Sequence, residues 1–211
     1  MQSSLEQMYL DLMSSIRDRF DLIAKLAGSN GGDFGRAETA AFHGRKIIEG
    51  IAFGCIVATE KGLKHIPRDA KGQWNAETIL GGLQKKGLKT FPSPSILRKA
   101  SPEENVDHNV NITVEGISER RISTNDLVAM YQRMHRWLHE LNPYVTIDKA
   151  TFYSNNGQSL WADLTAIERF IERHFISISG QGFFCVLRDS GDHMTKVLPL
   201  SKVAERGQGA A

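Results

Sequence analysis

Arg133, His135, Arg136 and His139 lie between positions 133 and 139 and form the densest grouping of chemically competent side chains in the chain. An imidazole with an unperturbed pKa of about 6.5 can take or give a proton near neutrality. A guanidinium stays charged and grips phosphate through paired donors. Together they meet the needs of metal-free RNA cleavage, in which the substrate's own 2′-hydroxyl attacks the adjacent phosphorus. In that chemistry His139 is general base or acid, Arg133 clamps the phosphorane, and His135 and Arg136 complete the group. Six positions on an ideal helix rotate by about 240°, so Arg133 and His139 point some 120° apart. Arg136 and His135, three and four positions from His139, are its better neighbours. Two plainer readings stay open. His135 and His139 could ligate a metal, although no third ligand stands at a recognisable spacing. His139 could instead cap the carbonyls of its own helix.

The element that must hold these residues is a helix over 123–141. Ser123 or Thr124 caps its first turn and Asp126 adds charge favoured by the dipole. Leu127, Tyr131, Met134, Leu138 and Leu141 recur at three and four residues and make its buried stripe. Pro143 cannot continue the ladder, which predicts an end near Leu141.

The remaining chain supplies a frame for that helix. Residues 4–27 carry a stripe of Leu5, Met8, Leu12, Ile16, Phe20 and Ile23, with Gly28 as the stop. A second helix over 36–62 is apolar on nearly all sides after Lys46, which places it at the bundle centre. Gly44, Gly50 and Gly54 each cost it about 1 kcal/mol of helix propensity. Close approach of another helix offsets that cost, and Arg45 and Glu49 stand where they can pair. A short helix over 74–86 starts on Asn75. A polar segment follows, in which 109–118 alternates as a short hairpin. A helix over 157–174 and a hairpin with a four-residue loop at 189–192 complete the pattern.

The 211 residues allow one substantial core. A net charge of +2 does not mark a nucleic-acid binder, although Arg120 and Arg121 could hold phosphates without reading sequence. No apolar run approaches the roughly 20 residues of a membrane helix, and no signal peptide is visible, so a cytoplasmic protein without membrane contact is expected. Cys55 and Cys185 read as buried thiols. There is no Gly-rich phosphate loop, nucleophile context or paired-carboxylate motif, so neither a cofactor nor a metal is expected.

Two stretches, FHGRKIIEGIAFG at 42–54 and YQRMHRWLHELNPY at 131–144, resemble the HEPN superfamily, the higher-eukaryote and prokaryote nucleotide-binding domain. That family's motif of Arg, four to six residues and His is similar to Arg133, five residues and His139. The resemblance covers roughly residues 1–175. It implies a mainly α HEPN-like bundle over 1–174 with a partly irregular insert at 91–122. A small C-terminal β-hairpin or meander over 175–203 and a disordered tail at 204–211 follow. It further implies a homodimer whose site is composite across a twofold axis, acting as an endoribonuclease on RNA in a toxin or anti-phage defence setting. An antitoxin or defence-complex protein would be the partner. Asn142 reads as satisfying the helix end and Tyr144 as packing, whereas the resemblance puts both in the substrate-binding surface with Arg120 and Arg121. Met134 stands where catalytic members carry a polar residue. The alternative is therefore a catalytically inactive scaffold or nucleotide-sensing subunit.

Overall fold

The computed structural model describes residues 4–27, 33–59, 75–87, 90–108, 110–140, 144 and 147–200. Expectations for Gly28, Gly62, Trp74, Leu141, Asn142, Pro143 and the 204–211 tail lie outside the described residues. The described helices are α1 (Leu5–Ala27), α2 (Phe34–Thr59), α3 (Ala76–Lys85), α4 (Pro102–His108), α5 (Thr124–Arg136) and α6 (Lys149–Ile171). The strands are β1 (Ser93–Lys99), β2 (Ile112–Gly116), β3 (Arg173–Ile178), β4 (Gln181–Val186) and β5 (Lys196–Leu200). The chain is mainly α, with one antiparallel sheet in the order β2-β1-β3-β4-β5. Among the described residues no helix is long and apolar enough to cross a membrane.

Helix α2 is the centre of the bundle, buried along most of its length and packed by α1, α3, α5, α6 and β3. Its glycines mark the closest approaches. A methyl group on Gly44 would stand 2.5 Å from a Leu164 methyl carbon and 2.7 Å from the Met134 sulfur. At Gly50 and Gly54 it would press on Ile16 and Tyr9 of α1. Tight packing against three neighbours thus offsets the propensity cost. The buried face of α1 is Tyr9, Met13, Ile16, Phe20 and Ile23; Met8 is exposed, so the stripe is rotated by one position in the first turns.

Three other expectations are corrected. Residues 112–116 form a single strand whose partner is β1, with α4 between them, rather than a local hairpin at 109–118. Alternation identifies a strand but not its mate. Helix α4 starts on a capping box: Glu104 N–H donates to Ser101 Oγ while Ser101 N–H donates to Glu104 Oε2, with Pro102 in the first turn. The C-terminal strands also differ. The hairpin turn is Ser179-Gly180, both with positive φ, joining β3 to β4. The segment between β4 and β5 spans 187–195, wider than the expected four residues. Helix α6 begins on Asp148, which accepts from the Thr151 N–H, earlier than the polar stretch around Asn155 and Asn156 suggests.

Sheet and bundle meet at a buried polar pair. The Ile171 carbonyl can only accept, so His174 Nδ1 carries the proton at 2.9 Å, and Nε2 accepts from the Tyr9 hydroxyl at 2.7 Å. Burial holds His174 neutral and pushes its pKa down to about 4.

Two stability measurements follow. Gly44→Ala should cost about 1–3 kcal/mol in urea unfolding. Gly81→Ala, in α3 with nothing within 4 Å of the new methyl, should gain up to about 1 kcal/mol. Because the unfolded His174 protonates near 6.5 and the folded one near 4, stability should fall as pH drops through that window. The loss should approach about 3 kcal/mol, and His174→Leu should flatten that part of the urea-midpoint profile.

Candidate functional site

The chemistry of the surface starts from a carboxylate inside the bundle. Glu49 on α2 is 5% exposed. A buried carboxylate is costly unless donors surround it, and here three do. Lys46 Nζ lies at 2.7 Å, Arg45 Nε at 3.3 Å, and the Tyr131 hydroxyl of α5 donates at 3.2 Å. The Arg45–Glu49 pair is the one that their spacing on α2 predicts. Arg45 Nε also donates to the Tyr131 oxygen at 3.0 Å, with the guanidinium 5.0 Å from the tyrosine ring centroid. Burial is the main reason that the Tyr131 phenol is held above its ordinary pKa.

Arg45 then reaches outward. Its Nη1 lies 2.9 Å from His135 Nδ1. A guanidinium only donates, so that nitrogen must be the acceptor and His135 carries its proton on Nε2. His135 Nε2 is 2.9 Å from His139 Nε2, with the rings edge to face at 4.4 Å. His139 therefore accepts at Nε2 and bears its own proton on Nδ1. Both imidazoles are exposed. Partial burial first, then the Arg45 and His139 charges, lower the His135 pKa. The result is a relay from buried acid to surface base through Glu49, Tyr131, Arg45, His135 and His139.

Helix α5 positions these residues from both ends. Ser123 Oγ accepts from the Asp126 N–H at 3.1 Å, the expected cap. Leu127, Tyr131 and Met134 are buried as expected, but the helix ends at Arg136 rather than near Leu141. The cause is Trp137, which is 2% exposed and packs on Phe34, Phe152 and Tyr153. With the indole anchored, the Trp137 and Leu138 amides bond three residues back, to Met134 and His135. This tightened turn keeps His139 beside His135.

Arg133 does not join them. Two helix positions, about 200°, separate it from His135. It faces α6, where Nε and Nη2 grip the Asp163 carboxylate at 2.7 and 2.8 Å. That bidentate bond raises the Arg133 pKa and commits one edge of the guanidinium to Asp163. Arg136 is exposed and makes no hydrogen bond or ion pair among the described residues. Arg120 bonds Glu172 at 3.0 Å, and Arg121 is exposed. Tyr144 is 93% exposed rather than packed. Among the described residues, no group of three His, Cys, Asp or Glu is placed to hold a metal.

Sequence reasoning about the site misses Tyr131 as a polar contact, Arg45 as the tautomer-setting partner and Asp163 altogether. One signal for Asp163 is present: a carboxylate set between Trp161 and Leu164 on an otherwise apolar face. The chain matches no protein-family model, no curated protein and no solved structure.

The relay makes a spectroscopic prediction. In an NMR pH titration the His135 imidazole should have a midpoint below that of a free imidazole. Arg45→Met, which removes one of the two charges opposing protonation, should recover part of that shift. A midpoint unchanged by the substitution would mean that Arg45 does not set the state of His135.

Proposed function

We propose that the chain is a metal-independent endoribonuclease with the HEPN-like organisation its sequence resembles, and that the His135–His139 pair is its chemical centre. The observation that carries this reading is the exposed 2.9 Å imidazole contact whose tautomer is fixed from inside by Arg45. In the reaction, His139 leaves His135 and its Nε2 takes the proton of the substrate 2′-hydroxyl. O2′ attacks phosphorus and the bond to the 5′-oxygen breaks. The imidazolium then returns its proton to that oxygen. His135 Nε2–H, no longer covered by His139, points at the phosphate as a fixed donor. Arg136, without an internal carboxylate, supplies the charge for the phosphorane, a role that the Arg-x5-His motif gives to Arg133. A cytoplasmic toxin or defence setting, held by an antitoxin or defence-complex partner, belongs to the same proposal. So does a homodimer that sets two such pairs across a twofold axis, although most of the apolar surface of α2, Phe42 excepted, is already buried within one protomer.

The second reading is a catalytically inactive HEPN-like scaffold or nucleotide-sensing subunit. It is favoured by one observation: the arginine of the Arg-x5-His pattern is engaged by both oxygens of Asp163.

Cleavage of total and single-stranded RNA in excess EDTA separates the two. The nuclease should cut, and His139→Ala should slow it by at least about 100-fold. Arg136→Gln should slow it similarly, whereas Arg133→Met should lower the melting temperature more than the rate. If the purified wild type leaves every RNA intact, the enzymatic reading is wrong and the scaffold stands.

A further inference from the structure

Away from the histidine pair, a groove of about 630 Å³ runs between α5, α6 and the short 3₁₀ turn Ser118–Arg120. It opens on the flank of α5 opposite His135. Ile122, Met130 and Ala166 give it an apolar lining, and Arg120, Arg121 and Arg169 line it as well. The three arginines are not equivalent. Arg120 is tied to Glu172 at 3.0 Å. Arg121 and Arg169 are exposed, and their side chains form no hydrogen bond or ion pair among the described residues. Two carboxylates share the groove, Asp126 and Glu119, and each accepts a serine hydroxyl, from Ser123 and Ser118.

Two guanidiniums in direct contact with no carboxylate, beside an apolar floor, match a strand that alternates phosphate and base, with Asp126 and Glu119 offsetting part of the groove's positive charge. A purely apolar ligand would leave the cations unused, and a bare anion would leave the floor unused. We infer that this groove is a second, non-catalytic subsite for single-stranded RNA, in which Arg121 and Arg169 hold backbone phosphates and the Ile122–Met130 surface supports a base. Such contacts position a strand without reading its sequence. The inference rests on the RNA reading above and adds Arg169, which no spacing argument singles out. Met130 precedes His135 by five helical positions, about 8 Å along the axis and about 140° around it, so the groove and the histidine pair lie on different sides of α5.

A labelled 2′-O-methyl RNA oligonucleotide, which lacks the attacking hydroxyl, isolates binding from cleavage. Fluorescence anisotropy with the full chain should show affinity that falls with salt. Arg121→Gln with Arg169→Gln should weaken binding by about tenfold and make the log–log salt slope shallower by about 1.4, two phosphates' worth on a single strand. The corresponding double lysine variant, which keeps both charges, should retain most of that slope and controls for folding. Wild-type binding without salt dependence, or a glutamine pair that binds like wild type, overturns the subsite. If the wild type cuts ordinary RNA in EDTA while the glutamine pair binds unchanged, the groove fails and the nuclease survives. If binding depends on the groove but no RNA is cut, the subsite stands and the nuclease fails.

Discussion

The buried charge of Glu49 is the constraint from which the surface chemistry descends. A carboxylate inside a helical bundle must be met by donors, or its desolvation costs several kcal/mol. Lys46, Arg45 and Tyr131 meet it from two different helices, so satisfying the acid also fixes the register of α5 against α2. Arg45 is then held with one face on Tyr131 and one nitrogen free to point outward. The tautomer of an exposed histidine is set by an arginine that the buried acid holds in place. That is a long reach for a surface feature, and it sets the orientation in which the two imidazoles meet.

A second constraint is steric. The close contact at Gly44 lets Met134 and Leu164 lie against the α2 backbone, which draws α5 and α6 onto the same stretch of α2 that carries Arg45 and Glu49. Trp137 completes the arrangement by ending α5 early and joining the aromatic cluster with Phe34 and Phe152. The same closeness of α5 and α6 commits Arg133 to Asp163. Packing therefore sorts the basic residues of one short segment into a structural bond, a histidine relay and one exposed cation.

Much of this is legible in the residues. The 3.6-residue period locates α1 and α5, a long run apolar on nearly all sides locates α2, the cap residues Asn75 and Ser123 do what their types imply, and the i,i+4 relation of Arg45 and Glu49 gives their pairing. What stays hidden is set by partners distant in sequence. The alternation at 112–116 is real, but its strand partner lies across α4. Pro143 is a local signal and draws the expected end of α5 toward itself, whereas the anchoring of Trp137 that ends the helix is tertiary. Helical spacing sets Arg136 nearer His139 than Arg133, but the bond that takes Arg133 up follows only from the position of Asp163 on α6. Asp148 as the start of α6 and the Ser101–Glu104 box are readable in principle, but the polar residues around them look like loop.

The ladder between β1 and β3 runs over Ser93 and Pro94, whereas that between β1 and β2 runs over five registered pairs. The outer ribbon is thus a cantilever, fixed at one end to the body of the sheet and braced along its length by Arg98 against Glu104 and Glu115. Two strands by themselves are marginal in water. Amide exchange in the ribbon should therefore run ahead of exchange in the helices, and its tip can bend or peel while the bundle stays intact.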